Sequence, residues 1–454
     1  MLYFKNVRAL VDHGAQTYQN RIALVEGETE YSFLRLRDDV YAMAAFLSAR
    51  TAPGAHIAVR GINSYAWIRA YLAIMSCGRV VVPLPAGLSD DQTRLIAKMA
   101  DTELILSDSP IEGAEVIDLT ADVPAYDGSA LQEAEPHDIA KIIFTSGTTG
   151  VMKGVPLTHE NILVIAGCEM LEHAGTISIA VLPFSHAFES VTHLLTILSA
   201  GVKMHICPSI RQFPRMVAET GCDVLFTVPS IAEALLTRFR RFLDKADRLK
   251  SVICGGAPIT ESLARQFASL GIRLHSGYGL SECSPLVSLN HDAIPGCCGR
   301  PLSFNSVRIS AEGEIQVRGK NVFSGYYKNE AATREVFTED GWLKTGDLGR
   351  LDEEGQLYLT GRIKNLIILS NGENVSPEEI ESLIINRVPG AKDALCFEKN
   401  DTLCVRIYAP EAEEEAIRQG ISRLNAELPP YQRVSDPEIV RDPLPVNATG
   451  KKIR

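Results

Sequence analysis

Short apolar runs bounded by Gly, Pro or polar residues recur along the chain. They are HIAVRG (56–61), RVVVPLP (79–85), ELILSD (103–108), KIIFTSG (141–147), KMHICP (203–208), DVLFTVP (223–229) and SVICGG (251–256). Each has the length and β-branched content of a buried strand. Between several of them the apolar positions take helical spacing, as in ENILVIAGCEMLEHA (160–174) and PSIAEALLTRF (229–239). Strands alternating with helices predict α/β layers around largely parallel sheets.

The pattern changes after about Asn290. RPLSFNSVRISAEGEIQVRG alternates apolar and polar residues around Ala311-Glu312-Gly313, and GDLGRLDEEGQLYLTGR does so around Glu353-Glu354-Gly355. Both read as hairpins, which predicts a small antiparallel, barrel-like β unit. A further unit begins near GRIKNLIIL (361–369). Ser376-Pro377-Glu378-Glu379 reads as a helix start, with Ser376 as N-cap, Pro377 in the first position and acids in the first turn. The run EAEEEAIRQG (411–420) reads as the solvated start of another helix. Residues 365–454 carry 15 acids against 11 Lys+Arg, a net of −4. That length suits a small α+β domain. The expected division is a large domain over 1–363 and a small one over 364–454.

Composition narrows the function classes. The 454 residues hold 45 Lys+Arg and 56 Asp+Glu, a formal charge of −11. No nucleic-acid partner is expected, because bulk capture of a polyanion needs a basic face. A local cationic pocket for one phosphorylated ligand remains compatible with this balance. The N-terminal MLYFKNVRALVDHG lacks the apolar core of a signal peptide, and no apolar run reaches the roughly 18 residues of a membrane span. The ten cysteines form no CxxC pair, and Cys297 and Cys298 are adjacent, a poor geometry for a disulfide. Reduced, buried thiols in a cytoplasmic protein without a membrane span are the expectation.

The stretch richest in chemistry is Thr145-Ser146-Gly147-Thr148-Thr149-Gly150-Val151-Met152-Lys153-Gly154. Small residues let backbone N–H groups approach a polyphosphate, hydroxyls add donors, and Lys153 adds mobile positive charge. The spacing is not that of a GxxxxGK[ST] loop. Taken alone, such a loop is as readily a flexible turn.

Further segments follow in order: LPFSHAFE (182–189), Gly255-Gly256-Ala257-Pro258, YGLSEC (278–283), GYYKN (325–329), WLKTGD (342–347), GRIKN (361–365) and Gly450-Lys451. Together with the Ser/Thr/Gly loop they resemble the adenylate-forming superfamily of acyl-CoA synthetases, peptide-synthetase adenylation domains and luciferases, over residues 142–451. In motif style the chain is most similar to long-chain fatty acid–CoA ligases. The resemblance implies that a carboxylate attacks the ATP α-phosphate to give an acyl-adenylate, and that a thiol then displaces AMP. Both steps need charge stabilisation and positioning rather than a nucleophilic triad.

The resemblance also implies roles. Thr145, Ser146, Gly147, Thr148, Thr149 and Gly150, with Lys153, hold phosphate. Glu282 is the Mg²⁺ ligand, in keeping with a cation that takes one or two carboxylates plus phosphate oxygens and water. Tyr278 offers its face to adenine beside Gly279, and Gly255, Gly256 and Ala257 leave room for the base. Asp347 accepts from the ribose hydroxyls and Arg362 lies near ribose and phosphate. His186 borders the carboxylate; the bland alternative for it is a hydrogen-bonded core histidine. Lys364 takes the hinge position, about which the small mobile C-terminal domain rotates. Lys451 stabilises charge in the first half-reaction.

Met152 stands where the family often has Pro, and the chain is short for the superfamily. Amino-acid-activating members usually carry Asp after Phe in the segment matching LPFSHAFES; here Ser185 follows Phe184. A substrate ammonium would lack its partner, which disfavours a free amino acid. A fatty acid is favoured over an aryl acid. The acceptor is coenzyme A or, as a rival, an acyl carrier protein. A non-catalytic nucleotide-binding protein and a luciferase-like oxidative enzyme are the weaker readings.

Overall fold

The computed structural model describes residues 2–146, 152–167, 175–257, 259–294, 296–369, 373–399 and 402–445. Two large sheets dominate. One has six strands in the order Ile117–Asp118, Thr102–Ser107, His56–Gly61, Val80–Pro85, Ile139–Ser146 and Met152–Thr158. Its first five strands are parallel, and the last pairs antiparallel with its neighbour. The other has nine strands and a parallel centre, Arg273–Tyr278, Ser251–Cys254, Val224–Thr227, Ile177–Ala180, Lys203–Ile206 and Ile22–Glu26. Short antiparallel strands finish both edges. The seven apolar runs are all strands in these sheets.

Helices Val7–Tyr18, Phe33–Ser48 and Tyr65–Ser76 open on Asn6, Ser32 and Ser64, each accepting an amide of the first turn. Such caps satisfy donors that a helix start leaves unpaired. Tyr65–Ser76 is buried around almost its whole circumference, as expected of a helix packed between layers. One continuous core joins its Trp67 and Tyr71 with Val81 and Ile143 of the smaller sheet and Phe226 and Ile253 of the larger. The helix expected over 160–174 is His159–Ala166; residues 168–174 lie outside the described residues.

Strands Asn305–Ile309, Glu314–Gly319, Leu343–Leu351 and Leu357–Arg362 form a four-stranded antiparallel sheet. Both expected hairpins are here. A short 3₁₀ turn, Ile363–Asn365, follows. Beyond it, strands Asp393–Lys399, Thr402–Tyr408 and Ser435–Val440 and helices Pro377–Arg387 and Glu414–Glu427 enclose a separate core containing Ile380, Ile384, Val405, Ile407 and Ile417.

Ser376 sits at the N-cap position of Pro377–Arg387, but its side chain does not cap. Its hydroxyl donates to the Thr360 carbonyl at 2.6 Å instead. A Cβ added to Gly361 would come within 2.0 Å of that hydroxyl oxygen. The small unit thus leans on the four-stranded sheet at a point where only glycine fits.

The nine cysteines among the described residues are free, and all but Cys298 are buried. Among the described residues no helix is long and apolar enough to cross a membrane.

Candidate active site

Strands Ile139–Ser146 and Met152–Thr158 pair with Thr145 opposite Lys153 and Ser146 opposite Met152. The Ser/Thr/Gly loop therefore joins an antiparallel hairpin rather than a strand and a helix. Gly147, Thr148, Thr149 and Gly150 lie outside the described residues. Lys153 projects its ammonium over the Tyr326 ring, 4.8 Å from the centroid. The Tyr326 hydroxyl donates to Glu282 Oε1 at 2.8 Å. Burial and the neighbouring Glu282 carboxylate push that phenol upward, so it stays a donor. A cation, a phenol and a carboxylate from three separate segments meet here. The Tyr327 N–H donates to the Gly154 carbonyl at 2.8 Å and ties the GYYKN segment to the hairpin.

A second constellation lies at the carboxyl ends of the large sheet's strands, where open α/β sheets bind ligands. Tyr278 closes strand Arg273–Tyr278 and its hydroxyl donates to Asp347 Oδ2 at 2.9 Å. Arg362 Nε contacts Asp347 Oδ1 at 2.8 Å. Asp347 and Arg362 face each other in the register of adjacent strands. Asp347 is only 3% exposed, a buried carboxylate held by a cation and a phenol. Burial and Asp347 raise the Tyr278 phenol well above its ordinary range. Next to Tyr278, a Cβ on Gly279 would lie 1.7 Å from the Pro285 carbonyl oxygen, so the backbone approach there requires glycine. A Cβ on Gly255 would press on the Phe188 ring at 3.0 Å. Gly256, with φ +82°, and Ala257 are exposed past the end of strand Ser251–Cys254. Pro258 lies outside the described residues.

His186 precedes the π-helical turn Phe188–His193. Its surface opens to solvent, while the surrounding protein and the Lys141 ammonium hold its imidazole below the usual value. Ser185 beside it is buried, and its hydroxyl has no hydrogen-bond partner among the described residues. Lys141 is fully buried and donates to the Tyr71 hydroxyl and to Ser190 Oγ. His193 bridges Glu189 and Ser178, at 2.9 Å on either side, and stacks on Phe226.

A family model described as AMP-binding enzyme matches residues 11–327. The chain belongs to that family. As an AMP-binding enzyme it is an AMP-forming acid–thiol ligase, as its motif order implies. It is 28% identical over 424 residues to the long-chain-fatty-acid–CoA ligase FadD15 of Mycobacterium bovis, covering 75% of this chain and 70% of that one. It is 31% identical over 392 residues to the 2-succinylbenzoate–CoA ligase of Bacillus cereus, covering 81% and 80%. In fold it is similar to ATP-bound MatB from Rhodopseudomonas palustris, with a TM-score of 0.86 at 23% identity over 98% of this chain and 97% of that one.

Within this AMP-binding enzyme the fold brings Lys153 to Glu282, and Tyr278 to Asp347 and Arg362. Lys451 lies outside the described residues. Sequence reasoning missed four residues here. Tyr326 bridges Lys153 and Glu282 from inside a recognised motif. Glu189 and His193 form a buried pair at helical spacing. Lys141 carried a signal that was legible: a lone charge inside the apolar run IAKIIF, where a strand buried on both faces has no solvent for it.

Proposed function

We propose that this protein activates a carboxylic acid with ATP to an acyl-adenylate, releasing pyrophosphate, and passes the acyl group to the thiol of coenzyme A. A fatty acid is the favoured substrate. The observation that carries this reading is the pairing of two constellations: Lys153–Tyr326–Glu282 and Tyr278–Asp347–Arg362. The first suits a polyphosphate and the second a nucleoside.

In this reading Lys153 and the loop 145–150 bind the phosphates. Asp347, paired with Arg362, accepts from the ribose, while Tyr278, Gly279, Gly255, Gly256 and Ala257 frame the base. Glu282 fits Mg²⁺: its Oε1 is already oriented by Tyr326, and a single carboxylate suits a cation that takes one or two of them. A magnesium ion there would draw its other ligands from phosphate and water and would neutralise phosphate charge. His186 borders the acid's carboxylate as a neutral imidazole. Lys451 balances charge between carboxylate and α-phosphate during adenylation. Residues 1–363 and 364–454 act as two domains that pivot at Lys364 between the half-reactions. The nine free thiols among the described residues suit a cytoplasmic setting.

The acid is argued from Ser185. A buried neutral hydroxyl offers a substrate ammonium no counter-charge, so an amino acid is disfavoured. FadD15 is named for a fatty acid and the Bacillus enzyme for an aryl acid; the LPFSHAFES and LSNGENVSPEEIE segments favour the former.

The test is acid-dependent ATP–pyrophosphate exchange with fatty acids of graded length, aryl acids and amino acids. The expected result is exchange with fatty acids above the others, then thioester formation with coenzyme A exceeding that with an acyl carrier protein. Tight ATP binding without exchange on any acid would overturn the reading.

A further inference from the structure

Lys141 lies in the middle of strand Ile139–Ser146, which runs directly into the Ser/Thr/Gly loop. Its side chain is fully buried. The ammonium donates to the Tyr71 hydroxyl at 3.0 Å and to Ser190 Oγ at 2.9 Å. Ser190 Oγ in turn donates to the His186 carbonyl at 2.8 Å. The far end of this chain is rigid: Tyr71 stacks on Trp67, and Trp67 stacks on Phe184, two residues before His186.

No carboxylate takes part among the described residues. Glu189, the chain neighbour of Ser190, turns away to His193. From helix Tyr65–Ser76 the group facing Lys141 is the Tyr71 phenol, which burial keeps protonated. From the turn it faces Ser190, whose hydroxyl carries the contact on to the His186 carbonyl. A buried cation without a counter-charge is costly, and a methionine would fill the same space without that cost. A hydrogen-bonded path ending on the His186 backbone gives the lysine a purpose.

We propose that Lys141 is a positioning residue: through Ser190 it fixes the His186 segment against the strand that carries the phosphate loop, and its charge opposes a second positive charge on the His186 imidazole. This rests on the reading that His186 borders the acid. Burial holds the Lys141 amine at about 7, and Lys141 is the one charged group acting on His186 among the described residues. Below about pH 7 the ammonium repels a proton from His186. Above it the neutral amine still donates to Ser190, so the geometry survives.

The test compares the wild-type protein with Lys141→Met, and with Lys141→Met/Tyr71→Phe, which also removes the stranded phenol. Histidine-labelled protein is titrated by NMR, with the His186 signal assigned from His186→Gln. The His186 midpoint should move upward in both variants. The acid limb of the exchange rate should move to higher pH, with KM for the acid raised severalfold and KM for ATP unchanged. A folded variant whose His186 midpoint and acid limb both stay put overturns the proposal. If the wild type exchanges with no acid, the proposed function fails, while the NMR titration still decides the relay.

Discussion

Tyr278 and Asp347, 69 positions apart in the chain, are joined by a 2.9 Å hydrogen bond in which the tyrosine hydroxyl donates to Oδ2. Arg362 takes the other carboxylate oxygen at 2.8 Å. The bond ties a strand of the large sheet to the four-stranded sheet. Tyr278→Phe leaves a buried carboxylate oxygen short of one donor. It should lower unfolding free energy by about 1–3 kcal/mol, read by denaturant titration. The ring itself stays, so ATP affinity should fall less than in Asp347→Ala. A larger loss of affinity in Tyr278→Phe than in Asp347→Ala would mean that the hydroxyl, not the carboxylate, meets the nucleotide.

Among the described residues Lys153 makes no ion pair, and its ammonium lies over the Tyr326 face. Its charge is available for phosphate. Lys153→Met should reduce the exchange rate constant by roughly 10²–10³-fold, the usual scale for removing one electrostatic stabiliser, with thermal stability nearly unchanged. Equal activity in the variant would remove Lys153 from the phosphate site.

Glu282→Gln keeps the shape and the Tyr326 contact but loses the charge. Magnesium titration of exchange should then require a markedly higher ion concentration for half-maximal rate. An unaltered magnesium curve would assign Glu282 a structural role only.

Lys141 also predicts a stability profile. Its folded value, about 7, is depressed from 10.5, so between those values the unfolded chain binds one proton more than the folded one. Stability therefore rises with pH across that window, and the destabilising contribution is complete below about pH 7. Lys141→Met should be the more stable protein by a few kcal/mol at pH 6. Its advantage should shrink steadily toward pH 9, read by denaturant midpoints at each pH. A constant gap would show that Lys141 titrates normally.

Gly361→Ala drives a methyl into Ser376 Oγ. The small unit must shift off the Thr360 carbonyl, at about 1–3 kcal/mol for the overpacking. Limited proteolysis should cut near 363–365 faster than in the wild type, while the large sheets keep their protection.

Much of the fold was legible because each strand repeats a local rule. HIAVRG, SVICGG and the Glu353-Glu354-Gly355 hairpin are strands and turn by short-range pattern alone. Ser376 shows where that rule stops. Its sequence context is a faultless N-cap, yet its hydroxyl serves Thr360, a partner that exists only after two units pack. The site divides in the same way. Glu282, Tyr278 and Asp347 stood out by residue type and neighbours. That Tyr326 would bridge Lys153 to Glu282 did not, since a tyrosine in GYYKN looks the same whether it faces solvent or a carboxylate.

The sequence by itself determined the order of strands and helices, the family and the residue types at the nucleotide site, since periodicity and motif spacing are one-dimensional properties. Only the tertiary structure decided which of those groups touch: Tyr278 with Asp347, Lys153 with Tyr326, Lys141 with Ser190. Hydrogen bonds and ion pairs act over a few ångströms, and that proximity comes from sheets and helices that close segments far apart in the chain onto one core.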